Sequence, residues 1–120
     1  MPVPILKQGD VLIASFQAAL TDQDLLMFKD DLAARVGRFR SSGVVIDVGA
    51  LDVMDSFATR TLQGIAATAR LRGAETVVVG IQPDVAIAMV QLGLRLDGVA
   101  TALDLEEGLA LLRPSRGRVQ

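Results

Sequence analysis

Hydrophobic positions fall into two kinds of segment along the chain: short continuous runs, and longer stretches in which apolar residues recur at helical spacing. The short runs are rich in β-branched residues and predict strands. They occupy residues 2–6, 10–16, 43–48, 76–81 and 99–102. The first holds two prolines and is tolerated only as an edge strand. The runs at 43–48 and 76–81 are almost entirely apolar, with Asp47 and Thr76 as the exceptions, as in strands buried on both faces of a mainly parallel sheet.

The longer stretches predict four helices, each with a start or stop signal. The predicted starts are Thr21-Asp22, Asp55-Ser56, Pro83 and Asp104, and the last helix runs through Leu112. Gly43, Gly73 and Gly93 end the first three helices. Strands and helices therefore alternate after an initial strand pair. This alternation predicts an α/β fold with a mostly parallel sheet, right-handed crossovers and helices on both faces.

The helix that begins at Pro83 is unusually apolar. Residues 85–90 carry apolar side chains on nearly every face, whereas a helix that packs on one side of a sheet needs only one apolar stripe. Either this helix is unusually enclosed, or part of it contacts another subunit. Both interpretations remain open from the sequence.

Composition limits the chemistry. The chain has 120 residues, enough for one domain, and it contains no Cys, His, Trp or Tyr. A disulfide framework, a thiolate nucleophile, an imidazole base and Cys-based metal sites are therefore excluded. No cofactor or metal is expected. Hydrophobic residues make up 51% of the chain and charged residues 22%, an apolar surplus that a domain of this size does not bury completely.

The charge balance and the chain ends give little sign of nucleic acid or membrane. The formal net charge is −2, which argues against nucleic-acid binding. No signal peptide or membrane-length apolar stretch is visible, so a cytoplasmic location is expected. We expect one domain over residues 1–112 and a basic tail over 113–120. The tail is either frayed or a partner-binding arm.

The most informative segment runs from a predicted buried strand into a predicted helix start, from Val44 to Phe57. Ligand sites in parallel α/β sheets gather at the carboxyl ends of strands. The free N–H groups at a helix start favour an anion, so a phosphate on Ser56 would meet a favourable field. It would also place about −1.5 to −2 charges beside Asp52 and Asp55. The alternative is that Ser56 or Asp55 simply caps the helix.

Other chemistry has weak support. Asp47 ends a strand, like the acceptor of a receiver domain, but the acidic pair and the Lys which that chemistry needs are missing. We expect Asp47 instead to bond backbone amides in the following loop. No phosphate-binding glycine motif occurs, and no nucleophile, base and oxyanion site combine. An enzyme is therefore disfavoured.

Five stretches give the sequence a specific resemblance. They are Pro4-Ile-Leu-Lys7, Gly43-Val-Val-Ile-Asp47, Met54-Asp-Ser-Phe57, Gly80-Ile-Gln-Pro83 and Thr101-Ala-Leu-Asp-Leu105 with Gly108-Leu109. Together they resemble the STAS family of sulfate transporter and anti-sigma factor antagonist domains, and within it the small scaffold subunit of the bacterial stressosome. The resemblance implies a mixed sheet of four or five strands, with about four helices mainly on one side. It thereby replaces the mostly parallel, two-sided picture.

The same resemblance implies a function without catalysis. The implied phosphorylation site is Ser56, and the residues implied to flank it or contact partners are Asp47, Asp52, Asp55, Phe57 and Thr59. Implied partners are an RsbT-like serine kinase that is held and then released, RsbR-like paralogues in a large assembly, and an RsbX-like phosphatase. Two alternatives stay open: direct binding of an anti-sigma kinase, or a small-ligand-binding regulator of a transporter.

Overall fold

The computed structural model describes residues 3–17 and 20–112, and in this part of the chain it has nine regular elements in the predicted order. The strands are β1 Ile5–Gln8, β2 Val11–Ser15, β3 Gly43–Asp47, β4 Glu75–Val79 and β5 Ala100–Ala102. The helices are α1 Asp22–Phe39, α2 Ser56–Leu71, α3 Pro83–Gln91 and α4 Leu105–Leu112. The division at residue 112 stays a prediction, because the tail lies outside the described residues.

The five strands form one mixed sheet in the order β1-β2-β3-β4-β5. β1 pairs antiparallel with β2, and every other pair is parallel. The mixed sheet implied by the resemblance is thus confirmed. β1 runs from Ile5 to Gln8, so both ends of the predicted run 2–6 are wrong. The two-residue turn at Gly9-Asp10 places Gln8 opposite Val11. Gly9 takes a positive φ of 62° in this turn.

The two faces of the sheet bury different residues. One face packs with α1, α2 and α3 around the main core, in which β3 supplies Val44 and Ile46. The opposite face holds a small cluster that includes Val45 and Val77, and Leu109 and Leu112 of α4 pack on it. Three of the four helices lie on one side, which confirms the expectation of a mainly one-sided arrangement.

The apolar surplus is visible on α3. Only Val85 and Met89 are buried in this helix, so the interpretation of an unusually enclosed helix is wrong. Ile87 and Val90 lie on its outer side and are 56% and 78% exposed. An apolar outer face of this kind is what a subunit contact would need, and that contact stays a prediction.

The parallel strands bring three helix starts to one edge of the sheet. Ser15, Asp47 and Val79 are paired at neighbouring positions near the carboxyl ends of β2, β3 and β4. The segments that leave these ends lead into α1, α2 and α3. The predicted site therefore lies at the edge where α/β sheets usually carry their ligand sites. None of the helices in the described residues is both long and apolar enough to cross a membrane.

Candidate functional site

The loop between β3 and α2 is held by alternating contacts with the core. Val48, Leu51 and Met54 are buried, while Val53 is 72% exposed. The buried residues fix the path of the loop, and the residues between them face solvent. The loop consequently delivers the start of α2 to the surface in a defined position.

Asp47 ties the beginning of this loop together. Its Oδ1 accepts a hydrogen bond of 2.8 Å from the backbone N–H of Gly49, which confirms the role expected for Asp47. Gly80 lies close by with a positive φ of 80°. A Cβ at Gly80 would stand 3.1 Å from Oδ1 of Asp47. A glycine is therefore favoured at this position both by conformation and by close approach.

Gln82 links the loop after β4 to the loop after β3, a contact that sequence reasoning missed. Its Nε2 donates to the carbonyl oxygen of Gly49 at 2.9 Å and to Oδ1 of Asp52 at 3.3 Å. Gln82 precedes α3 but makes no side-chain cap for that helix. In the sequence, the Gly80-Ile-Gln-Pro83 stretch marks Gln82 only as part of a family resemblance and does not indicate its contact with the loop after β3. A long-range contact of this kind depends on the pairing of β3 with β4.

The start of α2 shows which residue caps the helix, a question that the sequence left open between Asp55 and Ser56. Asp55 is the N-cap, and its Oδ1 accepts a hydrogen bond of 2.8 Å from the N–H of Ala58. Ser56 is the first helical residue and is exposed. Since Asp55 does the capping, the Ser56 hydroxyl is not needed for it. Because its side chain is exposed, Ser56 is also sterically accessible to another protein.

We expect loss of this cap to destabilise the protein measurably. Asp55→Ala removes the acceptor for the N–H of Ala58 and should lower the free energy of unfolding by about 1 kcal/mol. Asp55→Asn keeps a good capping group without the charge and should change it by only a few tenths of a kcal/mol. Urea denaturation of both variants measures the difference. Equal losses in the two variants would mean that charge, rather than the cap, carries the effect.

Phe57 and Thr59 support the helix start from within. Phe57 is partly buried and packs against the main core. Thr59 is only 2% exposed, and its hydroxyl donates to the backbone carbonyl of Asp55 at 2.9 Å. The structure thus places Thr59 beneath the site rather than on its surface. Ser41 is also buried, and it lies before the opposite end of β3.

The edge around Ser56 is acidic. Residues 20–28, 47–59 and 80–91 include no Lys or Arg. Their acidic residues are Asp22, Asp24, Asp47, Asp52, Asp55 and Asp84. Acidic groups near helix starts are stabilised by the helix dipole, and a backbone hydrogen bond from Thr21 lowers the pKa of Asp24. A phosphate added at Ser56 would therefore stand among these carboxylates, with the helix start and the exposed Arg60, one turn further along α2, as its favourable neighbours.

Fold and site together define a small α/β domain with an accessible serine at a helix start. A sequence model of the STAS domain matches residues 3–107. The chain belongs to the STAS family.

Two solved structures extend this assignment. RsbS from Moorella thermoacetica, solved as a serine-to-glutamate variant, is 40% identical, with a TM-score of 0.81 and 98% of each chain covered. A chain from a structure of the stressosome, described as a signal integration and transduction hub, is 43% identical, with a TM-score of 0.77. That match covers 92% of this chain and 96% of the other. These similarities support a regulatory role of the stressosome and STAS type.

A curated relative is similar over a shorter part. The RsbT co-antagonist protein RsbRA of Bacillus subtilis (strain 168) is 31% identical over 80 residues. The match spans 67% of this chain and 29% of that protein. The match therefore covers less than a third of the length of RsbRA, and the rest of RsbRA lies outside it.

Proposed function

We propose that this protein is a cytoplasmic, non-catalytic scaffold of the bacterial stressosome, which binds an RsbT-like serine/threonine kinase until that kinase phosphorylates Ser56. Phosphorylation releases the kinase to activate the general stress response, and an RsbX-like phosphatase resets the scaffold. The observation that carries the proposal is the exposed Ser56 at the start of α2. This serine stands in a chain that is 40% identical to an RsbS.

The assembly partners follow from the same similarities. This chain is similar to a chain of a stressosome structure and to part of RsbRA, which is described as an RsbT co-antagonist. We therefore infer that RsbR-like paralogues associate with this chain in a large particle. Exposed Ile87 and Val90 on α3 supply apolar surface for such contacts.

Phosphorylation should be confined to an accessible hydroxyl. A kinase must bring the acceptor oxygen close to its nucleotide, so buried Thr59 and Ser41 should stay unmodified. Incubation with the RsbT-like kinase and ATP, followed by mass-spectrometric site mapping, should find one phosphate, on Ser56. Ser56→Ala is the matched control and should take up no phosphate. Modification of Thr59 in the folded wild-type chain, or an unmodified Ser56, would contradict the proposal.

The alternatives differ from the scaffold in what they bind. A small-ligand regulator needs a pocket of about 300–1,000 Å³, whereas the cavity beside the site has about 140 Å³. An anti-sigma antagonist would bind its kinase without a paralogue. Size-exclusion chromatography with and without an RsbR-like partner decides between them: a joint particle of megadalton scale supports the scaffold. Unchanged elution would favour the alternatives, a small-ligand-binding regulator or direct binding of an anti-sigma kinase.

A further inference from the structure

A cavity of about 140 Å³ lies between the starts of α1 and α2, and its lining includes Asp55 and Ala58, which flank Ser56 and Phe57 in the sequence. Its apolar walls are formed by Leu20, Leu25, Leu51 and Val53, and Asp22 and Asp55 contribute carboxylates to the lining. Leu25 and Leu51 also belong to the core, so the inner wall is rigid. Val53, on the outer wall, is largely exposed. The cavity is thus an apolar recess bordered by two carboxylates, one of which belongs to Asp55, the residue before Ser56. We call these two carboxylates its acidic rim.

The two carboxylates lack a cationic partner in the described part of the chain. Asp22 is the first residue of α1 and is exposed, and no salt bridge joins it or Asp55 to a described basic side chain. Asp55 bonds the N–H of Ala58 through Oδ1. Residues 20–28 and 47–59 provide no Lys or Arg. Any cation at this rim must therefore come from outside these segments.

We propose that the cavity receives one arginine side chain of the partner kinase. The aliphatic part of an arginine covers apolar surface while its charged head stays at the rim. The guanidinium is weakly hydrated and has a planar set of donors that suits carboxylates better than an ammonium does. The cavity is smaller than typical small-molecule pockets and suits a single long side chain. The identity of the partner rests on the proposed function, but the chemistry of the occupant does not.

This occupant is compatible with release after phosphorylation. One guanidinium carries one positive charge, while Asp22 and Asp55 already carry two negative charges at the rim. A phosphate on Ser56 adds about −1.5 to −2 more. One arginine therefore cannot neutralise the phosphorylated site, which keeps a net negative charge even with the arginine bound.

The first test needs no kinase. The peptide acetyl-Gly-Gly-Arg-Gly-Gly-amide is titrated into the ¹⁵N-labelled full chain, and amide chemical shifts are followed. We expect saturable shifts in residues 20–25 and 51–58, with about tenfold weaker binding of the citrulline peptide and of the Asp22→Asn protein. Asp30→Asn, an exposed carboxylate further along α1, is the matched control and should bind like wild type. Equal affinity for arginine and citrulline would overturn the proposal.

Two further arms test other occupants. A lysine peptide that binds as tightly as the arginine peptide would overturn the assignment of a guanidinium. The chain's own tail contains Arg113, Arg116 and Arg118. Tighter peptide binding after these three are replaced by Gln would show that the tail competes for the cavity, and would overturn the assignment to a partner.

The second test uses the kinase complex and separates the two proposals. Asp22→Asn should weaken binding of unphosphorylated protein to the RsbT-like kinase about tenfold, while Asp30→Asn leaves it unchanged. Normal kinase binding by Asp22→Asn, with Ser56 still phosphorylated, would remove the cavity from the interface and leave the scaffold function intact. Binding of the arginine peptide, together with a kinase that never phosphorylates Ser56, would support the cavity proposal and contradict the scaffold function.

Discussion

Ser56→Asp is expected to weaken binding of the RsbT-like kinase at least tenfold, whereas Ser56→Ala should leave the kinase bound. A tenfold change corresponds to about 1.4 kcal/mol. The alanine variant removes only a hydroxyl that the helix cap does not need, since Asp55 supplies the cap. The aspartate variant adds a charge beside Asp52 and Asp55, and the nearest basic residue along α2 is the exposed Arg60, one helical turn further on.

The physical reason for the loss is desolvation. In the free protein, water screens the repulsion between neighbouring carboxylates. In a protein interface the same charges lose water, and repulsion grows as the local dielectric constant falls. A true phosphate carries up to two charges and should act more strongly than the aspartate mimic. Binding of phosphorylated protein should therefore be weaker than binding of Ser56→Asp.

Pull-down and titration calorimetry with purified kinase measure these affinities. Ala67→Asp is the matched control, because residue 67 is exposed and lies in the interior of the same helix. It adds the same charge to α2 away from the helix start and should bind the kinase like wild type. If Ser56→Ala and Ser56→Asp bind the kinase equally, the phosphorylation switch is refuted.

Gly108→Val is expected to lower the free energy of unfolding by about 1–3 kcal/mol, the usual cost of overpacking a core. Gly108 is the buried residue of α4. A Cβ there would lie 2.6 Å from Cγ1 of Val79 and 3.5 Å from Cγ1 of Val77. Both are stiff β-branched side chains in the sheet, so the helix must shift outward to accommodate the added group.

Urea denaturation measures this loss, with Ala110→Val as the control. Residue 110 is an exposed position of α4, where valine costs only helix propensity, at most about 0.7 kcal/mol. Gly108→Val should therefore be clearly less stable than Ala110→Val, even though glycine is itself a poor helix former. Equal stability of the two variants would mean that α4 does not pack closely on β4.

The apolar surplus, in turn, has a defined location. The sequence predicted that some of it would remain outside the core. The structure leaves Ile87, Val90 and Leu92 exposed on and just after α3, whereas Val85 and Met89 of the same helix are buried. Helical periodicity identifies an apolar helix, but only the packed structure shows which of its sides the sheet has already covered.

The sequence by itself determined the order of the elements, the buried character of β3 and β4, and Ser56 as the candidate acceptor. These features are local, because periodicity, β-branched runs and helix-start residues act within a few positions of the chain. The family resemblance added the mixed sheet, which is confirmed, and phosphorylation of Ser56, which stays a prediction.

Tertiary structure decided the rest. Cap assignment to Asp55 rather than Ser56 depends on where the loop after β3 is anchored. The position of α4 on the second face, the Gln82 link to Gly49 and the cavity between α1 and α2 join residues far apart in sequence. Such contacts form only when the strands have paired in register, because pairing brings the loops to one edge. Local sequence patterns do not encode these long-range contacts directly.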